Sequence, residues 1–183
     1  MKRALLSLII ISSLLVSPWP YREVYGQQGT FTPAQEALFK KALELMGNKC
    51  TMDGLSAQET IKKLYDRGAL ADFKDAPAEI KKDLPKDFDT KFGNGLTDGA
   101  TGSIYVAMPQ NANSDDSFQV AKLAAVLCHE FIHYFHNTRP GGVKQQEGSY
   151  LNFIKNCFPF FTEVEAYYRH IQFLIQLKQE LQN

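Results

Sequence analysis

His129, Glu130 and His133 are the residues of this chain whose types and spacing point most directly to chemistry. In a helix, positions four apart lie one above the other on one face, so His129 and His133 can direct two imidazoles at one ion. Glu130 borders that face, close enough to reach a water at the ion without being a ligand. The combination describes metal-assisted hydrolysis, in which zinc acidifies a water and polarises a carbonyl while the glutamate accepts the proton. Such a pentapeptide arises by chance in about one chain in a couple of hundred of this length. The setting adds weight to it. Leu123 to Leu127 lead into the motif as an apolar run, and histidine and glutamate are costly on a buried helix unless paired or metal-bound.

Two histidines leave a catalytic zinc short of a ligand. His136 extends the spacing to i, i+4, i+7, but about 10 Å of helical rise separates it from His129, too much for three side chains of a straight helix to converge. It is expected at the surface or behind the ligands. Glu163 and Glu165 are better placed, on a later helix that can pack antiparallel to the first. Support for a developing oxyanion calls for a tyrosine hydroxyl, a histidine or an arginine near the metal. Tyr150, Tyr167, His170 and Arg139 are the candidates.

With these residues in view, the chain resembles the gluzincin branch of the zincin-like metallopeptidases, the thermolysin-like class. The likeness rests on His129-Glu130-x-x-His133, the strand-like Ser103 to Met108 ahead of it and the Glu165-Ala166 step after it, and it covers roughly residues 102–170. It implies a zincin-like fold, Zn2+ as cofactor, peptide bonds as substrate and Glu130 as general base. It further implies His129, His133 and Glu165 as ligands, with Glu163 the alternative third. A metzincin would need glycine at His136 and histidine at Arg139, and has neither here. No counterpart of a second lobe is evident, which implies a shallow cleft. Two other readings stay open: a catalytically silent zincin-fold module that binds or inhibits, and a zinc hydrolase of another amide or ester.

The elements that must position these residues are legible in outline. Thr32-Pro33 with Gln35 starts a helix that continues through Leu38, Ala42 and Leu45 to Gly47, and Ser56 with Glu59 starts a second that stops near Gly68. Residues 69–90 read as a mixed stretch broken by Pro77 and Pro85, with one helical turn at Ala78 to Lys82. Ser103 to Met108 alternates, with Ile104, Val106 and Met108 on one side and Tyr105 and Ala107 on the other, and Pro109 ends it near a sheet edge. If that strand is an edge, Ile104, Tyr105, Val106 and Ala107 could receive an extended substrate by strand addition. A long helix follows from about Asp115 to Asn137, capped by Asn113 or Ser114 and too apolar for the surface. A last helix, from Thr162 to about Leu181, carries Val164, Tyr168, Ile171 and Ile175 at helical spacing. The fold class expected is α+β: mostly helical, with a small mixed or antiparallel sheet and a central helix bearing the motif.

At 183 residues, 44% apolar and 22% charged, the chain suits one ordinary globular domain. Lys2 and Arg3 before the apolar Ala4 to Val16 read as a secretory signal, too short to cross a bilayer, with cleavage expected after Gly26. The expectation is residues 1–26 as signal peptide, 27–183 as the working domain, and a secreted or extracytoplasmic location, periplasmic in a Gram-negative cell. Removing Lys2, Arg3, Arg22 and Glu23 leaves 17 basic and 19 acidic residues. So balanced a charge predicts no nucleic-acid partner and no stable membrane association, and leaves a peptide or protein substrate as the partner. In an oxidising compartment, Cys50, Cys128 and Cys157 allow one disulfide and one thiol. Cys128 sits in the apolar run as a plausible buried thiol, which favours Cys50 with Cys157.

Overall fold

The computed structural model describes residues 31–82, 84, 87–88, 91–138, 150–180 and 182, and for 150–161 the backbone only. The proposed signal segment, Arg139 and the Cys157 side chain lie outside what is described. The described residues form an α+β arrangement of five α-helices and two small sheets.

Helix α1 (Pro33–Met46) begins on a complete capping box: Thr32 Oγ1 accepts from the Gln35 amide and the Gln35 side chain accepts from the Thr32 amide. Its apolar stripe, Leu38, Phe39, Ala42 and Met46, is buried. Strands β1 (Thr51–Met52) and β2 (Leu55–Ser56) form a short antiparallel hairpin that leads into α2 (Ala57–Asp66), where Ser56 caps the Glu59 amide as its spacing predicts.

The next strand has no signature in the residue pattern. Leu70–Asp72 (β3) pairs in parallel with β5 (Ile104–Val106), while β4 (Gly95–Thr97) pairs antiparallel with β5 from the other side. The sheet order is therefore β3-β5-β4, a mixed sheet. Asp72, buried at the end of β3, accepts from Gln35 Nε2, whose amide also donates to the Pro109 carbonyl, 3.3 Å each. That buried polar contact ties the start of α1 to the sheet and leaves neither group unpaired. Between β3 and β4 lie a 3-10 turn (Phe73–Asp75) and α3 (Ala78–Lys81), the single helical turn expected there.

The order corrects one expectation. β5 is the central strand of its sheet, so its backbone groups are committed on both sides and Ile104 to Ala107 cannot receive a substrate strand. The residue alternation holds: Ile104, Val106 and Met108 enter the main core, whereas Tyr105 and Ala107 face a smaller cluster around Phe73. β4 and β5 are joined by a turn in which Asp98 accepts from Ala100 and Thr101 amides and Gly102 takes φ +73°, a conformation that favours glycine.

Helix α4 (Ser117–Thr138) runs through the middle of the molecule. Its cap is Asp116, which accepts from the Phe118 and Gln119 amides, while Asn113 makes the preceding turn. Leu123, Ala124, Ala125, Val126, Leu127, Cys128, Glu130, Phe131 and Ile132 are all buried, which takes in nearly every side of the helix. It contacts α1, α2, α5, β4 and β5. Helix α5 (Tyr150–Glu180) is one continuous element that takes in the aromatic stretch before Thr162. It packs on α4 through Ala166, Phe173 and Leu177.

The disulfide also differs from expectation. Cys50, at the end of the α1 turn, is bonded to Cys128 on α4. Burial of Cys128 reflects a bridge, because the inward face of α4 at that level is where the α1–β1 junction packs.

Candidate metal centre

α4 presents His129 and His133 on one face, as the four-residue spacing requires, with their Nε2 atoms 3.0 Å apart. α5 supplies the opposing wall. Glu163, Tyr167 and His170 are spaced i, i+4, i+7 and so form one stripe along that helix. Glu163 Oε2 lies 3.0 Å from His133 Nε2, and its Oε1 lies 3.5 Å from His129 Nε2. Further along the antiparallel helix, the Tyr167 ring meets His129 edge-on at 4.8 Å between centroids, and His170 follows at 6.0 Å.

The two candidate glutamates are separated by two residues, about 200° of helical turn, and leave α5 on opposite flanks of the Ala166 contact. Glu163 reaches the histidine pair. Glu165 instead bonds the buried His136 at 2.8 Å and lies 3.8 Å from Arg169. The structure thus brings together His129, His133 and the alternative ligand Glu163, and places Glu165 with His136 away from the pair. His136 is buried, not at the surface.

The donor set suits a zinc ion. Two imidazoles and a carboxylate are the ligand types of a catalytic zinc site, and bonds of about 2.0–2.1 Å in tetrahedral geometry set ligand atoms roughly 3.3 Å apart. The nitrogen and oxygen atoms here stand 3.0–3.5 Å from one another. Three protein ligands would leave one position for water or substrate. Burial holds His129 down to about 4, helped by the neighbouring His133 and His170. Burial likewise lowers His133, against the opposing pull of Glu163, and lowers His170. All three are therefore neutral near pH 7, the state in which an imidazole nitrogen can bind a metal. His129 Nδ1 is buried with no hydrogen-bond partner among the described residues. The carbonyl or carboxylate that usually orients a ligating imidazole is replaced there by the packing of Tyr167 and His170.

Glu130 lies beside the ligand face, only 3% exposed. Its pKa is pushed up to about 8 by burial, moderated by the Thr97 hydrogen bond and reinforced by the charge of Glu163. Thr97 Oγ1 stands 2.8 Å from Glu130 Oε2 and 3.1 Å from the Glu130 carbonyl, so β4 holds both ends of this residue. Gly95, two residues earlier and on the same face of β4, leaves the space that the glutamate occupies: a Cβ there would lie 2.6 Å from Oε1 and 2.7 Å from Cγ. Thr97 and Gly95 are site residues that the residue pattern does not single out. Their only trace in the sequence is a two-residue spacing in a short extended run, which acquires meaning once β4 is known to pack on α4.

Of the four residues named for oxyanion support, Tyr167 and His170 stand at the site. Arg139 and the Tyr150 side chain lie outside the described residues. No protein-family model, curated protein or solved structure matches the chain.

Proposed function

We propose that this chain is an exported zinc-dependent metallopeptidase of zincin-like, gluzincin type, in which residues 1–26 direct export and residues 27–183 form the enzyme. The observation that carries the reading is the convergence of His129, His133 and Glu163 within ligand distance of one another, with the Glu130 carboxyl buried alongside. His129 and His133 would hold the ion from α4 and Glu163 from α5, in place of Glu165. When bound, zinc supplies Lewis acidity, acidifying a water and polarising the scissile carbonyl.

The protein's own groups account for the remaining steps. Glu130 receives the proton of the attacking water and passes it to the leaving amine, as a general base and then a general acid. A bound cation beside it favours the ionised carboxylate, offsetting the burial that raises its pKa. Thr97 and the gap at Gly95 set where that carboxylate stands. Tyr167 is on the wall beside His129, where its hydroxyl is suited to support the oxyanion. β4 is the outer strand of its sheet. The register pairs Leu96 with Tyr105 through the backbone, which turns the amide and carbonyl groups of Gly95 and Thr97 away from β5. An extended peptide added there would run past Glu130, the role that the alternation of residues 103–108 suggested for β5.

The test is the Glu130→Gln variant assayed together with metal content. Wild-type protein should carry one zinc and cleave a peptide library in a chelator-sensitive manner. The variant should keep its zinc and lose activity by a factor on the order of 10²–10⁴. Unchanged hydrolysis in the variant would remove Glu130 from the mechanism. A protein that binds zinc yet cleaves no peptide and no small amide or ester would instead be a silent module.

A further inference from the structure

The face of α4 that bears the two histidines continues beyond them. Lys122 lies seven residues before His129 and Phe118 eleven, each within about 20° of a whole number of turns. Both therefore stand in line with His129, about 10 Å and about 16 Å toward the start of the helix. The chain leading into β4 follows the same line. Gly95 packs on Glu130, and two residues earlier Gly93 packs on Lys122, where a Cβ would overlap Lys122 Cε and lie 3.0 Å from Nζ. After β4, Gly102 reaches Tyr134. β4 thus runs beside α4 in the same direction, from the level of Lys122 to that of Glu130 and past it.

Lys122 is held in place without a counterion. Its Nζ stands 5.1 Å from the centre of the Phe92 ring and 5.9 Å from that of Phe118. No carboxylate of the described residues lies within 4.0 Å of it, and none of those residues accepts a hydrogen bond from it. Phe118 is 69% exposed, the most exposed large hydrophobic side chain among the described residues. An ammonium pinned across a glycine and framed by two aromatic rings offers a charge-assisted hydrogen bond to an anion and apolar surface to its stem.

We infer, resting on the peptidase reading of the metal centre, that Lys122 framed by Phe92 and Phe118 determines specificity by receiving a carboxylate of the peptide substrate. Direction places that carboxylate. Strand addition at the outer edge of β4 in the antiparallel sense, the more stable of the two, sends the peptide from Thr97 toward Gly93. Residues after the scissile bond then pass Lys122. Gly93 and Gly95 are two strand positions apart, about 7 Å, so the carboxylate belongs to the second or third residue after the bond. It is either an Asp or Glu side chain or the terminal α-carboxylate of a peptide that ends there.

The experiment uses three short peptide libraries with acetylated amino termini. One contains Asp and Glu and ends in an amide, one lacks them and ends in a free carboxylate, and one lacks both acids and carboxylate. Mass spectrometry locates each cut, and initial rates at low concentration report kcat/KM. Wild-type protein should favour one or both acidic libraries over the neutral one by about tenfold, the size of a hydrogen bond to a charged group. The favoured library identifies the source of the carboxylate. Lys122→Met should bring the ratio near one, Lys122→Arg should keep it, and circular dichroism with zinc content checks the fold of each.

Binding of the same libraries to zinc-loaded Glu130→Gln protein gives a reading independent of turnover. Acid-selective binding that Lys122→Met removes, without hydrolysis by wild-type protein, would keep the site and defeat the peptidase. Equal cleavage of all three libraries, a preference that survives Lys122→Met, or an acidic preference confined to residues before the scissile bond would overturn the site and leave the peptidase standing. Neither hydrolysis nor selective binding would overturn both. Should Lys122→Met not fold, the wild-type ranking and the position of the preferred acid decide.

Discussion

Gly95 and Glu130 are packed so closely that the smallest side chain on the glycine would overlap the carboxylate, with a Cβ 2.6 Å from Oε1. β4 and α4 meet at this point with the Glu130 side chain laid directly against the Gly95 backbone. The absence of a Cβ at residue 95 is therefore a condition for the position of the proposed general base.

Gly95→Ala should accordingly displace Glu130 while leaving the ligands in place. A shift of the order of 1 Å in a catalytic group can cost about 10²-fold. The expected result is a fall in kcat/KM of roughly ten- to a hundredfold at full zinc occupancy, with the loss in kcat and not in KM. A variant that loses zinc in parallel with activity would mean that Gly95 acts on the ligand set instead.

Glu163→Ala and Glu165→Ala should separate in zinc affinity. Removing Glu163 takes away one of three converging donors, and the affinity should drop on the order of a hundredfold or more. Removing Glu165 takes one hydrogen-bond partner from His136 but leaves the donors intact, and indirect losses of that kind are at most about 10- to 100-fold. Competition with a chromophoric chelator measures both. The reverse order of affinities would return the ligand role to Glu165.

Metal-free protein should show an inverted pH dependence at Glu130. A carboxyl whose folded pKa is raised from its ordinary value of 4.5 to about 8 binds its proton more tightly when folded. Its contribution to stability is full below about 4.5 and is lost as pH rises through about 8. His129, lowered to about 4, works in the opposite direction between about 4 and 6.5. Glu130→Gln removes only the first effect. Chelator-treated Glu130→Gln should therefore gain on chelator-treated wild type from pH 5 to pH 8, by at most about 1.4 kcal/mol per pH unit. Urea denaturation at several pH values gives the difference, and a constant gap would mean that the folded carboxyl titrates near its ordinary value.

The Cys50–Cys128 bridge closes a loop across 78 positions and anchors the α1–β1 junction next to His129. Chain entropy alone assigns such a loop about 4.5 kcal/mol. Replacing both cysteines by serine should lower the melting temperature by roughly 10 °C. Cys157→Ser should leave the bridge intact, which mass spectrometry of the unreduced protein checks.

The local features of the chain are legible in its residue order, because they depend on residues a few positions apart. The capping box of α1, the Ser56 N-cap of α2, the length and burial of α4 and the two-sided alternation of β5 all belong to this group. So does the shared face of His129 and His133, since helical geometry relates positions four apart whatever surrounds them.

What the sequence could not determine depends on how elements meet. β3 is three residues long and takes its identity from parallel pairing with β5, so nothing in Leu70–Asp72 alone announces it. Which strand lies at the edge, whether Cys128 faces Cys50, and which flank of α5 points at the histidines are set by packing between segments far apart in the chain. Glu163 and Glu165 are chemically identical and two residues apart. The rotation of α5, set by burying Ala166, Phe173 and Leu177 against α4, directs one to the histidine pair and the other to His136.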